Sequence, residues 1–222
     1  MARLILLGAP SGSGKSTSLR NLDSKETFII KPNSKPLPFA GGKKNYSDKN
    51  KNVFVTKSLR ELKETILNIN DKAKHIKNIV VEDFFHLMLA KSMEDASKPG
   101  FQKYADLGKE TYDATAGLES MLRDDINLII LTHTIEEKDT NGMPQTKLKL
   151  TGKFVEEKVD LPSYFTYVLE PKVIFKEGKP EYKLLTNKRS EADIAKTPMG
   201  MFSDILIDND LNEVIKVIES NE

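Results

Sequence analysis

Eight residues near the N-terminus carry the most legible chemistry in this sequence. Ala9-Pro10-Ser11-Gly12-Ser13-Gly14-Lys15-Ser16, with Thr17 following, has the spacing of a phosphate loop. Ala9 stands at the first glycine position, and Gly8 lies one residue earlier. The residue types suit that task. Gly12 and Gly14 let backbone N–H groups curl around phosphate oxygens. A helix N-terminus behind the loop adds a positive dipole end. Lys15 would neutralise the β- and γ-phosphates, and the Ser16 hydroxyl would ligate Mg²⁺. The plain alternative is an ordinary Gly/Ser turn.

A phosphate loop needs a carboxylate on a neighbouring strand to hold the metal. Ile79-Val80-Val81-Glu82-Asp83 supplies two. Strand alternation points them to opposite sides, so one is expected to face the metal and the other to polarise the attacking water. Register leaves open which does which. The alternative is a pair of acids capping the next helix. Thr132-His133-Thr134 closes another apolar run, where a polar side chain would sense the γ-phosphate or merely begin a loop. His75 and His86 read as structural or surface residues.

These residues need elements to position them. Arg3 to Leu7, Thr27 to Lys31, Val53 to Thr56, Ile79 to Val81 and Leu128 to Leu131 read as strands. Lys15 to Leu22, Phe84 to Met93 and Leu211 to Glu219 read as helices. Ser58 with Glu61 three residues on has capping-box spacing, and opens a helix bearing Leu59, Leu62, Ile66, Leu67 and Ile69. The apolar spacing predicts the longest helix over Tyr104 to Arg123. Residues 32–52 and 134–150 read as polar segments, the second with an Asn141-Gly142 turn. Tyr164 to Lys176 and Tyr182 to Thr186 predict an antiparallel hairpin around Glu177-Gly178. Strands alternating with helices give an α/β class with a mostly parallel sheet in one domain, residues 1–222.

Composition narrows the classes. The 34 basic and 33 acidic residues among 222 leave a net charge of +1, which excludes a uniformly basic nucleic-acid coat. With no Cys, disulfides, Cys-ligated zinc and Cys nucleophiles are excluded, and an intracellular, cytoplasmic setting is expected. No apolar run approaches the ~20 residues that cross a bilayer, so no membrane partner is expected.

GAPSGSGKST, IVVEDF and LIILTHT together resemble the RecA-like P-loop ATPases. KYADLGKETYD, LRDDINLIILTH, LTGKFVEEKVDLPSYFTYVL and AKTPMGMF are similar to the phage-encoded ATP-binding proteins of the AAA type, linked to recombination and single-strand annealing. The resemblance runs from Leu4 to about Leu206. It implies a RecA-like core that binds ATP with Mg²⁺, hydrolyses it, and acts on single-stranded DNA as a homo-oligomer in the host cytoplasm. Recombination or single-strand-binding proteins of the phage are implied as partners. Carried over by position, Lys15 and Ser16 take the phosphates and the metal, Glu82 and Asp83 supply the acid, and Thr132 and His133 sit at the sensor strand.

Two segments are candidate DNA surfaces. Residues 31–60 hold Lys31, Lys35, Lys43, Lys44, Lys49, Lys51, Lys57 and Arg60 against Asp48 alone. Tyr46, Phe39 and Phe54 lie among them and are candidates to stack on bases. The last twenty residues hold six acids against Lys216, an asymmetry that also suits head-to-tail subunit contact. The resemblance makes the segment from Ile135 to Lys153 the second surface, with Lys138, Lys147, Lys149 and Lys153. It also implies ATP between subunits, with a basic finger from the neighbour. Lys153, Lys188, Arg189 and Lys196 are the candidates. Two other classes compete. A small-molecule kinase needs a lid with several Arg residues, and the five here are scattered. A nucleotide-controlled assembly protein would bind ATP without DNA.

Overall fold

The computed structural model describes residues 1–221; the side chains of Lys153, Phe154 and Lys158 lie outside what is described. The chain runs β1 (Arg3–Gly8), a 3₁₀ helix (Ser16–Asn21), β2 (Thr27–Lys31), α1 (Gly42–Asn45), β3 (Val53–Val55), α2 (Leu59–Lys72) and β4 (Asn78–Val81). It continues through α3 (Phe84–Glu94), α4 (Gln102–Asp113), a 3₁₀ helix (Ala116–Met121), β5 (Asn127–Thr132), β6 (Thr134–Lys138) and β7 (Pro144–Leu148). The last part holds α5 (Lys153–Lys158), α6 (Leu161–Tyr164), β8 (Tyr167–Lys176), β9 (Lys179–Leu185), β10 (Leu206–Asp208) and α7 (Leu211–Ser220).

Eight strands form one sheet in the order β10-β9-β8-β1-β5-β4-β2-β3. The six strands from β8 to β3 are mutually parallel, so β1, β2, β4 and β5 deliver their C-terminal ends to one edge. β8, β9 and β10 are antiparallel, as the C-terminal hairpin predicted. Glu177 and Gly178 both have positive φ at its turn, 51° and 76°, as a two-residue hairpin connection requires.

The apolar strands are covered on both faces, and their alternation splits the core in two. Leu4, Leu6, Ile79, Val81, Leu128 and Ile130 point to the face that packs α2, α3 and α4. Ile5, Leu7, Val80, Ile129 and Leu131 point to the opposite face, against Leu19, Leu22 and the α7 residues Leu211, Val214, Ile215 and Ile218. This is why these strands read as continuous apolar runs.

Several sequence expectations need correction. The segment from Tyr104 to Arg123 is not one helix. α4 ends at Asp113, and α2, with 14 residues, is longer. Thr115 turns its hydroxyl back onto the Thr111 carbonyl at 2.7 Å, and its backbone leaves the helical region (φ −132°, ψ −98°). A hydroxyl that competes for a helix carbonyl favours termination. The helix expected over Lys15 to Leu22 is a six-residue 3₁₀ turn. The Ser18 N–H is shared between the Gly14 and Lys15 carbonyls, and its hydroxyl donates to the Lys15 carbonyl at 2.5 Å. So short a turn has a small dipole. The polar segment 134–150 is the paired hairpin β6–β7, closed by the Asp139 carboxylate, which accepts from Asn141 N and Met143 N at 2.8 Å each.

Candidate nucleotide site

The site sits where β1, β4 and β5 end. β1 runs out at Gly8, a residue with no room for a side chain: a Cβ there would lie 2.9–3.1 Å from Ile194, Leu148 and Thr134. Ala9 is buried and is not among the residues with positive φ, so a methyl group is tolerated at the position usually held by glycine. Gly12 and Gly14 do take left-handed backbone, at φ 80° and 93°, which glycine adopts without strain. Gly14 is also crowded, since a Cβ would meet Asn209 at 2.6 Å and Tyr182 at 2.8 Å. The Ser13 hydroxyl closes the turn by donating to the Pro10 carbonyl at 2.8 Å.

Lys15 is folded back into its own loop. Its ammonium donates to the Ala9 and Pro10 carbonyls, both at 2.7 Å. Burial lowers its pKa to about 8 against the opposing pull of Asp83 and Glu82. The Ser16 hydroxyl donates to Glu82 Oε1 in a very short hydrogen bond. Burial raises the Glu82 pKa, while Ser16, Lys31 and Lys15 pull the other way.

Asp83 takes a left-handed backbone, φ 55° and ψ 43°, at the N-cap of α3, yet its side chain caps nothing. It turns to His133, with Nε2 3.3 Å from Oδ1. That contact, against the effect of burial, lowers the Asp83 pKa. The left-handed turn breaks strand alternation. As a result Glu82 and Asp83 both line the cleft, contrary to the expectation that they diverge. The helix-capping alternative for Asp83 fails on the same contact.

The cleft holds about 430 Å³ between the loop residues Ser11, Gly12 and Gly14 to Thr17 on one side and Pro38, Glu82, Asp83, His133 and Tyr182 on the other, a volume in the range of ligand sites. Oxygen donors from Ser16 and Glu82 already touch, beside a cationic Lys15 and a loop of upturned backbone. This donor set suits a triphosphate with a hard divalent ion. Thr132, the other sensor candidate, is fully buried and its hydroxyl lacks a partner; it does not line the cleft.

Among the described residues, the remaining candidates do not line the cleft. Tyr46 is buried, with its hydroxyl donating to the Leu22 carbonyl, and Phe39 packs edge-on against it. Phe54 packs on the core. None of the three is displayed for base stacking. Lys31 is buried too, donating to the Lys35 carbonyl at 2.5 Å, and belongs to the surroundings of Glu82. Lys188 pairs with Glu191 at 3.5 Å, and Arg189 with Asp193 at 3.1 Å. Lys188 and Lys196 line a second cavity with Lys147. Lys147 pairs with Glu137 at 3.3 Å. The Lys149 ammonium lies 4.7 Å from the Phe85 ring centre, and the Lys149 backbone N–H donates to the His133 carbonyl at 2.8 Å. Lys153 opens α5, and its side chain is outside those described.

Sequence reasoning missed three neighbours of the site. His86 was read as a structural or surface residue, and it lies beside Asp83 and His133. Its spacing of three from Asp83 at a helix start was the available signal. Tyr182 and Asn209 come from the far end of the chain. Asn209 Nδ2 donates to the Gly14 carbonyl at 2.9 Å, and no local pattern announces that contact.

A family described as AAA domain matches residues 1–198. Among solved structures, a KaiC-like protein from the hyperthermophilic archaeon Pyrococcus horikoshii OT3 aligns with a TM-score of 0.44 and 12% identity, over 82% of this chain and 77% of that one. No curated protein matches the chain. With residues 1–198 matched and the phosphate loop seated at the end of a parallel strand, the chain belongs to the AAA domain family of P-loop NTPases.

Proposed function

We propose that the chain binds Mg–ATP in this cleft, hydrolyses it, and couples turnover to single-stranded DNA as a homo-oligomer. The observation that carries the nucleotide reading is the meeting of Ser16 with Glu82 at the mouth of a loop whose two glycines are left-handed. In this reading the loop N–H groups bind phosphate oxygens, and Lys15 exchanges its two carbonyl partners for the β- and γ-phosphates. Ser16 and Glu82 hold the metal, which supplies charge neutralisation at the phosphates. Asp83, kept ionised by His133, accepts a proton from the attacking water. His133 orients that carboxylate.

The DNA half rests on exposed cations and on the resemblance set out above. Lys35, Lys43, Lys44, Lys49, Lys51 and Lys57 are exposed, as are Lys138 and Lys147 on the β6–β7 hairpin. With the nearby aromatics packed inside, these lysines would meet the phosphate backbone rather than bases. The phage recombination setting and its protein partners rest on the resemblance alone. For a finger from a neighbouring subunit, Lys188 is the better candidate, because Asp193 holds Arg189 in a two-point pair.

Steady-state ATP hydrolysis, with and without single-stranded DNA, tests this on wild type and Lys15→Ala. Turnover that rises with DNA and vanishes in the variant is expected. Turnover indifferent to DNA would replace the DNA half with an assembly ATPase. Tight nucleotide binding without turnover would remove the enzyme.

A further inference from the structure

Asp83, His86 and His133 form a cluster whose role is only partly taken up by nucleotide chemistry. One ligand atom from each lies within 4.8 Å of the other two. Asp83 Oδ1 and His133 Nε2 are already 3.3 Å apart. Ligands about 2.1 Å from a common ion stand roughly that far from each other. The imidazoles of His86 and His133 are near-perpendicular, with centroids 5.4 Å apart, and Phe85 stacks edge-on against both. Their arrangement has a backbone cause. The left-handed turn at Asp83 starts α3, so Asp83 and His86 share the first helical turn, and His133 lies opposite, one residue past the end of β5.

We propose that Asp83, His86 and His133 form a second metal site, for a borderline divalent ion such as Zn²⁺ or Co²⁺, adjoining the Mg²⁺ position. Two imidazoles and one carboxylate select such ions, whereas Mg²⁺ prefers oxygen donors and keeps its waters. The two positions therefore take different ions in the same solution. His86 is exposed, so the site is open to solvent and leaves coordination positions to water. The cations Lys15 and Lys149 lie close by, which places the affinity in the range of a regulatory ion rather than a structural one. An ion here would hold the Asp83 carboxylate away from water. Binding itself needs nothing from the nucleotide reading; only the inhibition that follows rests on it.

Co²⁺ titration of the nucleotide-free protein, followed by its visible d–d absorption, tests the site directly. Wild type is expected to bind one equivalent with a protein-specific band. His86→Ala and His133→Ala each should weaken binding by about tenfold or more, with unchanged circular dichroism. His75→Ala, at the remaining histidine of the chain, should leave the band intact. Absence of the band in wild type, or its survival in His86→Ala, overturns the proposal. A second arm follows ATP hydrolysis at saturating Mg²⁺ with added Zn²⁺. Inhibition in wild type that is relieved in His86→Ala supports the site, and equal inhibition of both overturns it. If wild type shows no hydrolysis at all, the absorption arm still decides.

Discussion

Lys15 holds two carbonyls of its own loop, and that contact has a pH signature. Its pKa of about 8 follows from burial of the ammonium. Below pH 8 the group is charged and ready for phosphate. Above it the charge is lost and phosphate attraction fades. Nucleotide affinity, measured with a fluorescent ATP analogue, is therefore expected to fall as pH rises from 7 to 9. The stability of the nucleotide-free protein should move the other way. A lysine with a depressed folded pKa binds fewer protons than it does unfolded, so this contribution rises with pH between about 8 and 10.5. Urea midpoints across that window check the sign. Lys15 and Ser16 were legible from spacing alone, because the motif is local. The placement of Glu82 and Asp83 together in the cleft was not. It depends on one left-handed residue, and a pattern of alternation does not contain that information.

At the scale of elements, the start of α2 was legible in the sequence. Ser58 was predicted to cap α2, and its Oγ accepts from Glu61 N at 3.2 Å. The reciprocal half of the box is relayed. Glu61 accepts from the Thr56 hydroxyl at 2.5 Å, and Thr56 Oγ1 accepts from Ser58 N at 3.0 Å. Ser58→Ala should cost about 1 kcal/mol, read from equilibrium urea unfolding with an unchanged slope. The helix over Tyr104 to Arg123 was misread because its apolar spacing continues past Asp113. Periodicity reports which face is buried; it does not report that Thr115 has taken a carbonyl from the helix. The very short β10 and α6 escaped notice because three or four residues carry too little pattern to stand out.

For the whole molecule, the parallel sheet and its antiparallel edge followed from the order of apolar runs. The charge balance was harder to read. Lys31 counts toward a basic segment in sequence but is spent inside, near Glu82. The exposed lysines of residues 35–57 remain. If they meet phosphates, single-stranded DNA affinity should fall log-linearly with salt, at about 0.7 per phosphate contacted. Lys43→Glu with Lys44→Glu should lower that slope and leave DNA-free hydrolysis intact. A slope unchanged in the double variant would place the DNA elsewhere.

The hydrogen bond from Asn209 to the Gly14 carbonyl joins the two ends of the fold at the glycine loop. Arg20 donates to the Asn209 carbonyl, and Asn21 donates to the Asp210 carboxylate at 2.5 Å, so the start of α7 is moored to the turn that follows the loop. Reciprocity then applies. Whatever free energy nucleotide binding lends to the docking of α7, the docking of α7 lends back to nucleotide binding. Amide exchange should accordingly slow in residues 211–218 when nucleotide binds, a face of the sheet away from any phosphate. Asn209→Ala removes one of these contacts and keeps the Arg20 and Asn21 bonds, so it should narrow the difference in α7 exchange between the filled and the empty cleft.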